Sequence, residues 1–167
     1  MRIRRVARIG LISDTHGLLR PAAVSFLRGC DHIVHGGDIG RADVLKQLSV
    51  LAPITAVRGN NDLGPWAEAV AETGFVQVGE IGIYALHDIA QLDIMQLDVA
   101  RNGAGVHVVV SGHSHKPKVE RRGGVLYVNP GSAGPRRFKL PISVAELNVN
   151  GRDVSARIVE LAAESGV

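Results

Sequence analysis

Four short apolar runs in this chain each stop abruptly at a cluster of polar side chains. Residues 6–12 lead into Ser13-Asp14-Thr15-His16, Ile33-Val34-His35 into Gly36-Gly37-Asp38, residues 54–57 into Arg58-Gly59-Asn60-Asn61-Asp62, and residues 106–110 into Ser111-Gly112-His113-Ser114-His115. Runs of this length, rich in β-branched residues, read as buried strands. The pattern predicts strands near 6–12, 32–36 and 53–58, separated by helices near 18–28 and 41–50. Pro21 suits the first turn of one helix, and Asp43 sits early in the other. Strand and helix alternating in this way is the βαβαβ rhythm of a parallel sheet.

The second half is richer in strands. Residues 75–78 and 81–86 are separated by Gly79-Glu80 and read as a hairpin, and a helix over 94–102 is expected to end at Gly103. Further strands are predicted at 106–110, 118–122, 125–129, 142–149 and 153–159, with Gly123-Gly124 and Asn150-Gly151 as tight turns. A parallel half followed by an antiparallel-looking half suggests two sheets packed face to face with helices outside. With no repeat, linker or low-complexity segment, the 167 residues are expected to form one domain, 1–167.

The composition narrows the function classes. Hydrophobic residues make up 46% and charged residues 21% of the chain, as in ordinary globular proteins. Its longest apolar runs fall well short of the roughly 18 residues that span a bilayer. The basic start, Arg2-Arg4-Arg5-Arg8, is followed by an apolar stretch that Asp14 and His16 interrupt before any cleavage site. A cytoplasmic protein without membrane contact is therefore expected. Cys30 is the sole cysteine, so an intrachain disulfide, a thiolate zinc site and CxxC chemistry are all excluded. The net charge is +3, and the basic clusters at Lys116-Lys118, Arg121-Arg122 and Arg136-Arg137-Lys139 lack the aromatic interleaving expected of a single-strand binder. Nucleic-acid binding is not indicated. Strand edges and Trp66 leave room for a homo-oligomer.

The polar clusters sit where α/β sheets bind ligands, beyond the carboxyl ends of the strands. Asp14, Asp38 and Asn60 follow three successive strands. His87 follows Ile83-Tyr84-Ala85-Leu86, and His113 with His115 follow another, so seven donors stand at five strand ends, with His16 beside Asp14. Two carboxylates, one amide oxygen and four imidazoles suit manganese, iron, nickel, cobalt or zinc better than calcium or copper(I). Seven donors exceed the needs of one such ion. If Asp38 bridges, two divalent ions share the set at roughly 3.5 to 4 Å, the separation used by two-metal hydrolases.

Taken in order, Asp14-Thr15-His16, Gly37-Asp38, Gly59-Asn60, His87 and Gly112-His113-Ser114-His115 resemble the calcineurin-like metallophosphoesterases. The small size and Asn129-Pro130-Gly131-Ser132 resemble the compact subfamily that includes bacterial and archaeal phosphodiesterases and the retromer subunit Vps29. The resemblance implies an α/β fold, a four-layered α-β-β-α sandwich of two packed mixed β-sheets flanked by helices. It implies one metal held by Asp14, His16, Asp38 and His115, and a second by Asp38, Asn60, His87 and His113, with manganese the first expectation. It implies a phosphoesterase, a phosphodiesterase before a phosphomonoesterase, in which a hydroxide bridging the two ions attacks a small phosphoester in line and Asp38, Asn60 and His113 serve catalysis. The other reading is a non-catalytic metal-binding scaffold or nucleotide-binding module of the Vps29 type.

Two positions depart from the pattern. Many relatives place histidine directly after the Asn60 position, where it can protonate the leaving group; this chain has Asn61. His87 is followed by Asp88-Ile89 where many relatives have Gly-His. Asparagine and isoleucine cannot act as general acids, so Asp62 or Asp88 is the expected substitute. His35, three residues before Asp38, is expected to orient a ligand from behind, while His32 and His107 fall within strands and read as structural. Arg136 and Arg137 are candidates for a phosphate clamp, and Trp66 is expected in the core or an interface.

Overall fold

The computed structural model describes residues 5–92 and 105–162. Its strands are β1 (Ala7–Ile12), β2 (His32–His35), β3 (Ile54–Ala56), β4 (Thr73–Val78), β5 (Ile81–Leu86), β6 (Val108–Val110), β7 (Lys118–Arg122), β8 (Val125–Asn129), β9 (Ser143–Asn150) and β10 (Asp153–Glu160). The helices are α1 (Pro21–Leu27), α2 (Ala42–Leu51) and the single turn α3 (Pro65–Glu68). A 3-10 turn spans Ile89–Gln91. The helix expected over 94–102, and its cap at Gly103, lie outside the described residues.

The strands form two five-stranded sheets, ordered β10-β9-β1-β2-β3 and β4-β5-β6-β8-β7. In the first, β1, β2 and β3 are parallel, and the β9-β10 hairpin runs antiparallel beside β1. In the second, β5, β6 and β8 are parallel, with β4 and β7 antiparallel at the edges. Both sheets are therefore mixed. Two packed mixed sheets flanked by helices are what the resemblance implies; the second half is not antiparallel throughout, because β5, β6 and β8 run parallel while the C-terminal hairpin returns to pair with β1.

Side chains alternate between layers with the strand period of two. From the first sheet, Ile9, Leu11, Val34, Ala145, Leu147 and Val149 point inward. They meet Ile81, Ile83, Val108, Val110, Leu126 and Val128 of the second sheet. On the outer face of the first sheet, Ile12, Ile33 and Val144 pack on Ala23 and Leu27 of α1 and Val44 and Leu48 of α2, with Trp66 at the margin. Gly10 makes the close approach of α1 feasible, since a Cβ there would collide with Leu27 and meet Cys30. Tyr84, Leu86, Val109 and Val125 form the outer face of the second sheet. Helix α1 begins at Pro21 rather than residue 18, because proline at the first helical position fixes φ and needs no amide partner. Among the described residues no helix is long and apolar enough to cross a membrane.

Candidate metal centre

The carboxyl ends of β1, β2, β3, β5 and β6 deliver all seven expected donors to one edge of the sandwich. Their backbone is unusual. Six non-glycine residues among those described have positive φ, and five are Asp14 (53°), His16 (47°), Asp38 (54°), His113 (70°) and His115 (62°). Each such residue costs roughly 1–3 kcal/mol and persists only where the surroundings enforce it. The enforcing bonds join the loops. Asp14 and His16 amides donate to Gly37 and Asp38 carbonyls, both at 2.9 Å, and the Gly112 amide donates to the His87 carbonyl at 2.9 Å. A Cβ at Gly59 would collide with the backbone and carboxylate of Asp38, and one at Gly112 with Ser13 and Asp14.

The donors fall into two neighbouring groups. Asp14 Oδ1 lies 3.3 Å from His115 Nε2 and 4.0 Å from His16 Nε2, and the two imidazole nitrogens are 3.5 Å apart. In the other group, Asn60 Oδ1 is 3.0 Å from His87 Nε2 and 3.1 Å from His113 Nδ1. Asp38 lies between them, with Oδ2 3.3 Å from His87 Nε2 and 3.8 Å from His16 Nε2. Atoms of Asp14, His16 and His115, and of Asp14, Asp38 and His87, come within 4.8 Å of one another, as a shared cation requires. Asp14 Oδ1 is fully buried without a hydrogen-bond partner. An orphaned buried carboxylate oxygen facing two imidazole nitrogens is costly in a bare protein and is satisfied by a cation. The donors present thus fit divalent metal.

The electrostatics of the metal-free centre differ from donor to donor. Burial pushes the Asp14 carboxyl pKa up, against the lowering effect of the Ser13 hydroxyl bond and of His87 and His115. Burial also opposes ionisation of Asp38, but bonds from His87 and from the Asn61 main chain and side chain outweigh it and hold Asp38 well below the usual carboxylate range. The His87 pKa is raised: burial works against the imidazolium, while Asp38 and the Gly36 carbonyl more than offset it. His87 Nδ1 donates to Gly36 O at 2.7 Å, which leaves Nε2 facing Asp38 and Asn60. Burial lowers the pKa of His115, assisted by the charges of Arg137 and His16, so its ring is held neutral as a ligand must be.

His35 acts on the loops and not on the donors themselves. Thr15 Oγ1 donates to Ile39 O at 2.8 Å, so it accepts from His35 Nε2 at 3.0 Å, which leaves His35 Nδ1 to accept the Gly37 amide at 3.1 Å. The ring is thereby fixed in one tautomer, and burial lowers its pKa to about 3. Sequence reasoning gave Ser13 no role of its own and read Asn129 and Ser132 only as part of the Asn129-Pro130-Gly131-Ser132 motif. Ser13 Oγ donates to Asp14 Oδ2 at 2.6 Å, Asn129 Nδ2 to Gly112 O at 2.9 Å and Ser132 Oγ to Asp14 O at 3.0 Å. The available signal was their place at strand ends beside the donors.

Asp62 is ruled out as a substitute acid. It is buried, and its two oxygens accept the Gly40 amide at 2.9 Å and the Gly59 amide at 2.8 Å, so it pins two loops together. Asp88 accepts the Ala90 amide at 3.0 Å, and its Oδ2 lies 3.9 Å from His113 Nε2. Asn61 donates from its main chain to Asp38 Oδ1 and from its side chain to Asp38 Oδ2, both at 2.9 Å. His32 and His107 are structural, bonded to Thr55 Oγ1 at 2.8 Å and to the Gly82 amide at 2.9 Å. A cavity of about 600 Å³ adjoins the second donor group, with Asn60, His87 and His113 on one side and Arg58, Glu72 and Asp88 among its other walls. Arg58 and Glu72 pair at 2.9 Å. Periodicity could not reveal this wall, which is assembled from separate loops.

Residues 7–152 match the model of the calcineurin-like phosphoesterase superfamily domain, and the chain belongs to that metal-dependent family. It is 32% identical over 166 residues to a probable metallophosphoesterase of Methanothermobacter thermautotrophicus, covering 93% of each chain. It is 30% identical over 140 residues to a phosphodiesterase of Methanocaldococcus jannaschii, covering 74% of this chain and 82% of the relative. Its fold is shared with vacuolar protein sorting 29 of Cryptosporidium parvum, with a TM-score of 0.77 at 22% identity over 94% of this chain and 92% of that one.

Proposed function

We propose that this chain is a binuclear metal-dependent phosphodiesterase. The observation that carries the reading is Asp38 placed between two groups of donors, one of which opens directly onto a cavity of substrate size. Asp14, His16, Asp38 and His115 would hold one ion, and Asp38, Asn60, His87 and His113 the other. When bound, divalent ions, manganese first and nickel, iron, cobalt or zinc as alternatives, would lower the pKa of water at neutral pH and set positive charge against the phosphoryl oxygens. The protein fixes that geometry through the strained loops and orients His87 through Gly36. Asn60 and His113 are exposed toward the cavity, where the substrate phosphate meets the centre. The open cavity favours a diester, whose second substituent it can hold. The site of action is cytoplasmic.

The test is hydrolysis of bis(4-nitrophenyl) phosphate and 4-nitrophenyl phosphate by chelator-stripped protein, with and without manganese, beside Asp38→Ala. Turnover restored by manganese, absent in the variant and faster on the diester supports the reading. Folded protein that takes up metal and turns over neither ester would instead be the scaffold or binding module.

A further inference from the structure

The segment 135–139 leaves the metal centre carrying an arrangement that the fold does not need. Its root is tied to the Asp14 loop: the Ala133 amide donates to Ser13 O at 3.0 Å, Ser132 Oγ to Asp14 O at 3.0 Å, and Gly134 lies so close to the Asp14 and Thr15 carbonyls that no side chain would fit. Beyond that root come Pro135, Arg136, Arg137, Phe138 and Lys139, all exposed, with a turn closed by the Leu140 amide on Arg137 O at 3.2 Å. Phe138 is 94% exposed and has φ 53°; it is the sixth positive-φ residue, beside the five metal-centre positions. A phenylalanine in water on strained backbone stabilises nothing in the folded chain, and strain of this kind concentrates where ligands are held. The basic run Arg136-Arg137-Lys139, read above as lacking aromatic interleaving, is in fact interrupted by this ring. Arg136 and Lys139 also line a cavity of about 300 Å³ with Pro141, Ile142 and Leu161, where Glu160 is the acidic member.

We propose that residues 135–139 form a subsite for a nucleotide unit of the substrate, its base stacked on Phe138 and its phosphates paired with Arg136, Arg137 and Lys139. The inference rests on the phosphodiesterase reading and narrows its substrate class to nucleotide phosphodiesters. A planar ring face with flanking cations, on a loop whose root is bonded to the Ser13-Asp14 turn of the metal centre, matches a ligand that alternates planar bases and phosphates. An acidic peptide would satisfy the cations and leave the ring without a partner.

The experiment is fluorescence anisotropy with a 5′-labelled oligothymidylate of six residues, with chelator present so that no cleavage intervenes. Phe138→Ala is expected to weaken binding about tenfold, and Arg136→Gln with Arg137→Gln to lower the salt slope of log K by about one to two. Val50→Ser, which alters an exposed apolar residue on α2, is expected to leave affinity unchanged. Equal binding by wild type and Phe138→Ala, no measurable binding by wild type, or equal affinity for a labelled oligoglutamate would overturn the subsite. Turnover of bis(4-nitrophenyl) phosphate by the same wild-type preparation separates the two readings. Turnover without oligonucleotide binding overturns the subsite alone, and Phe138-dependent binding without turnover supports it while overturning the hydrolytic reading.

Discussion

Asn61 is an amide that donates to Asp38 and cannot give a proton to a leaving alkoxide. Diesters with a nitrophenolate leaving group are therefore expected to be cleaved much faster than dialkyl esters, and Asn61→His to raise the alkyl rate by about tenfold or more. Comparable wild-type rates on the two classes would show that another acid serves. His35 carries a second prediction. It is fully buried and its pKa falls from 6.5 to about 3, so the folded protein resists a proton that the unfolded chain accepts. Its contribution is present above pH 6.5 and is lost as pH falls toward 3. Two units below 6.5, at pH 4.5, that loss is about 2–3 kcal/mol. Urea denaturation at pH 7 and 4.5 should show this loss in wild type and a smaller one in His35→Gln; equal losses would refute it.

At the level of the elements, strand order and loop contact together build the site. Gly59 follows β3, and its backbone faces Asp38 from β2 with no room for a methyl group. Gly59→Ala is expected to displace Asp38 and weaken manganese binding by about tenfold or more while the sheets still form. Calorimetric titration with far-UV circular dichroism checks this, and unchanged affinity would show that the loops tolerate a Cβ. Far from the site, Glu146 on β9 is held between Arg8 of β1 at 2.6 Å and Arg157 of β10 at 2.8 Å, an ion triad across neighbouring strands. Removing its carboxylate leaves Arg8 half-buried without that partner, so Glu146→Ala is expected to cost about 1–3 kcal/mol in urea denaturation with activity retained. No loss of stability would mean that Arg8 finds equivalent partners in the Phe26 and Arg28 carbonyls.

For the molecule as a whole, metal and fold are expected to be thermodynamically coupled, because an orphaned carboxylate oxygen and five strained residues converge at the candidate metal centre. Manganese at about a hundred times its Kd should stabilise the protein by roughly 2.7 kcal/mol, a rise in Tm of about 5 to 10 °C. The shift should vanish in Asp38→Ala; a metal-independent Tm in wild type would refute the coupling. The sequence by itself determined the strand-end donors and most strand positions, because alternating burial and abrupt polar stops are local properties of the chain. Only the tertiary structure decided that β9 and β10 return to β1, since strand pairing depends on surfaces that meet after collapse. The same holds at the site. Asp62 looked like a free acid in the sequence and proved to be consumed by the amides of Gly40 and Gly59, while Phe138, which no sequence pattern singled out, stands in water. Residue type fixes what a side chain can do, and only the fold decides which partners and how much solvent it meets.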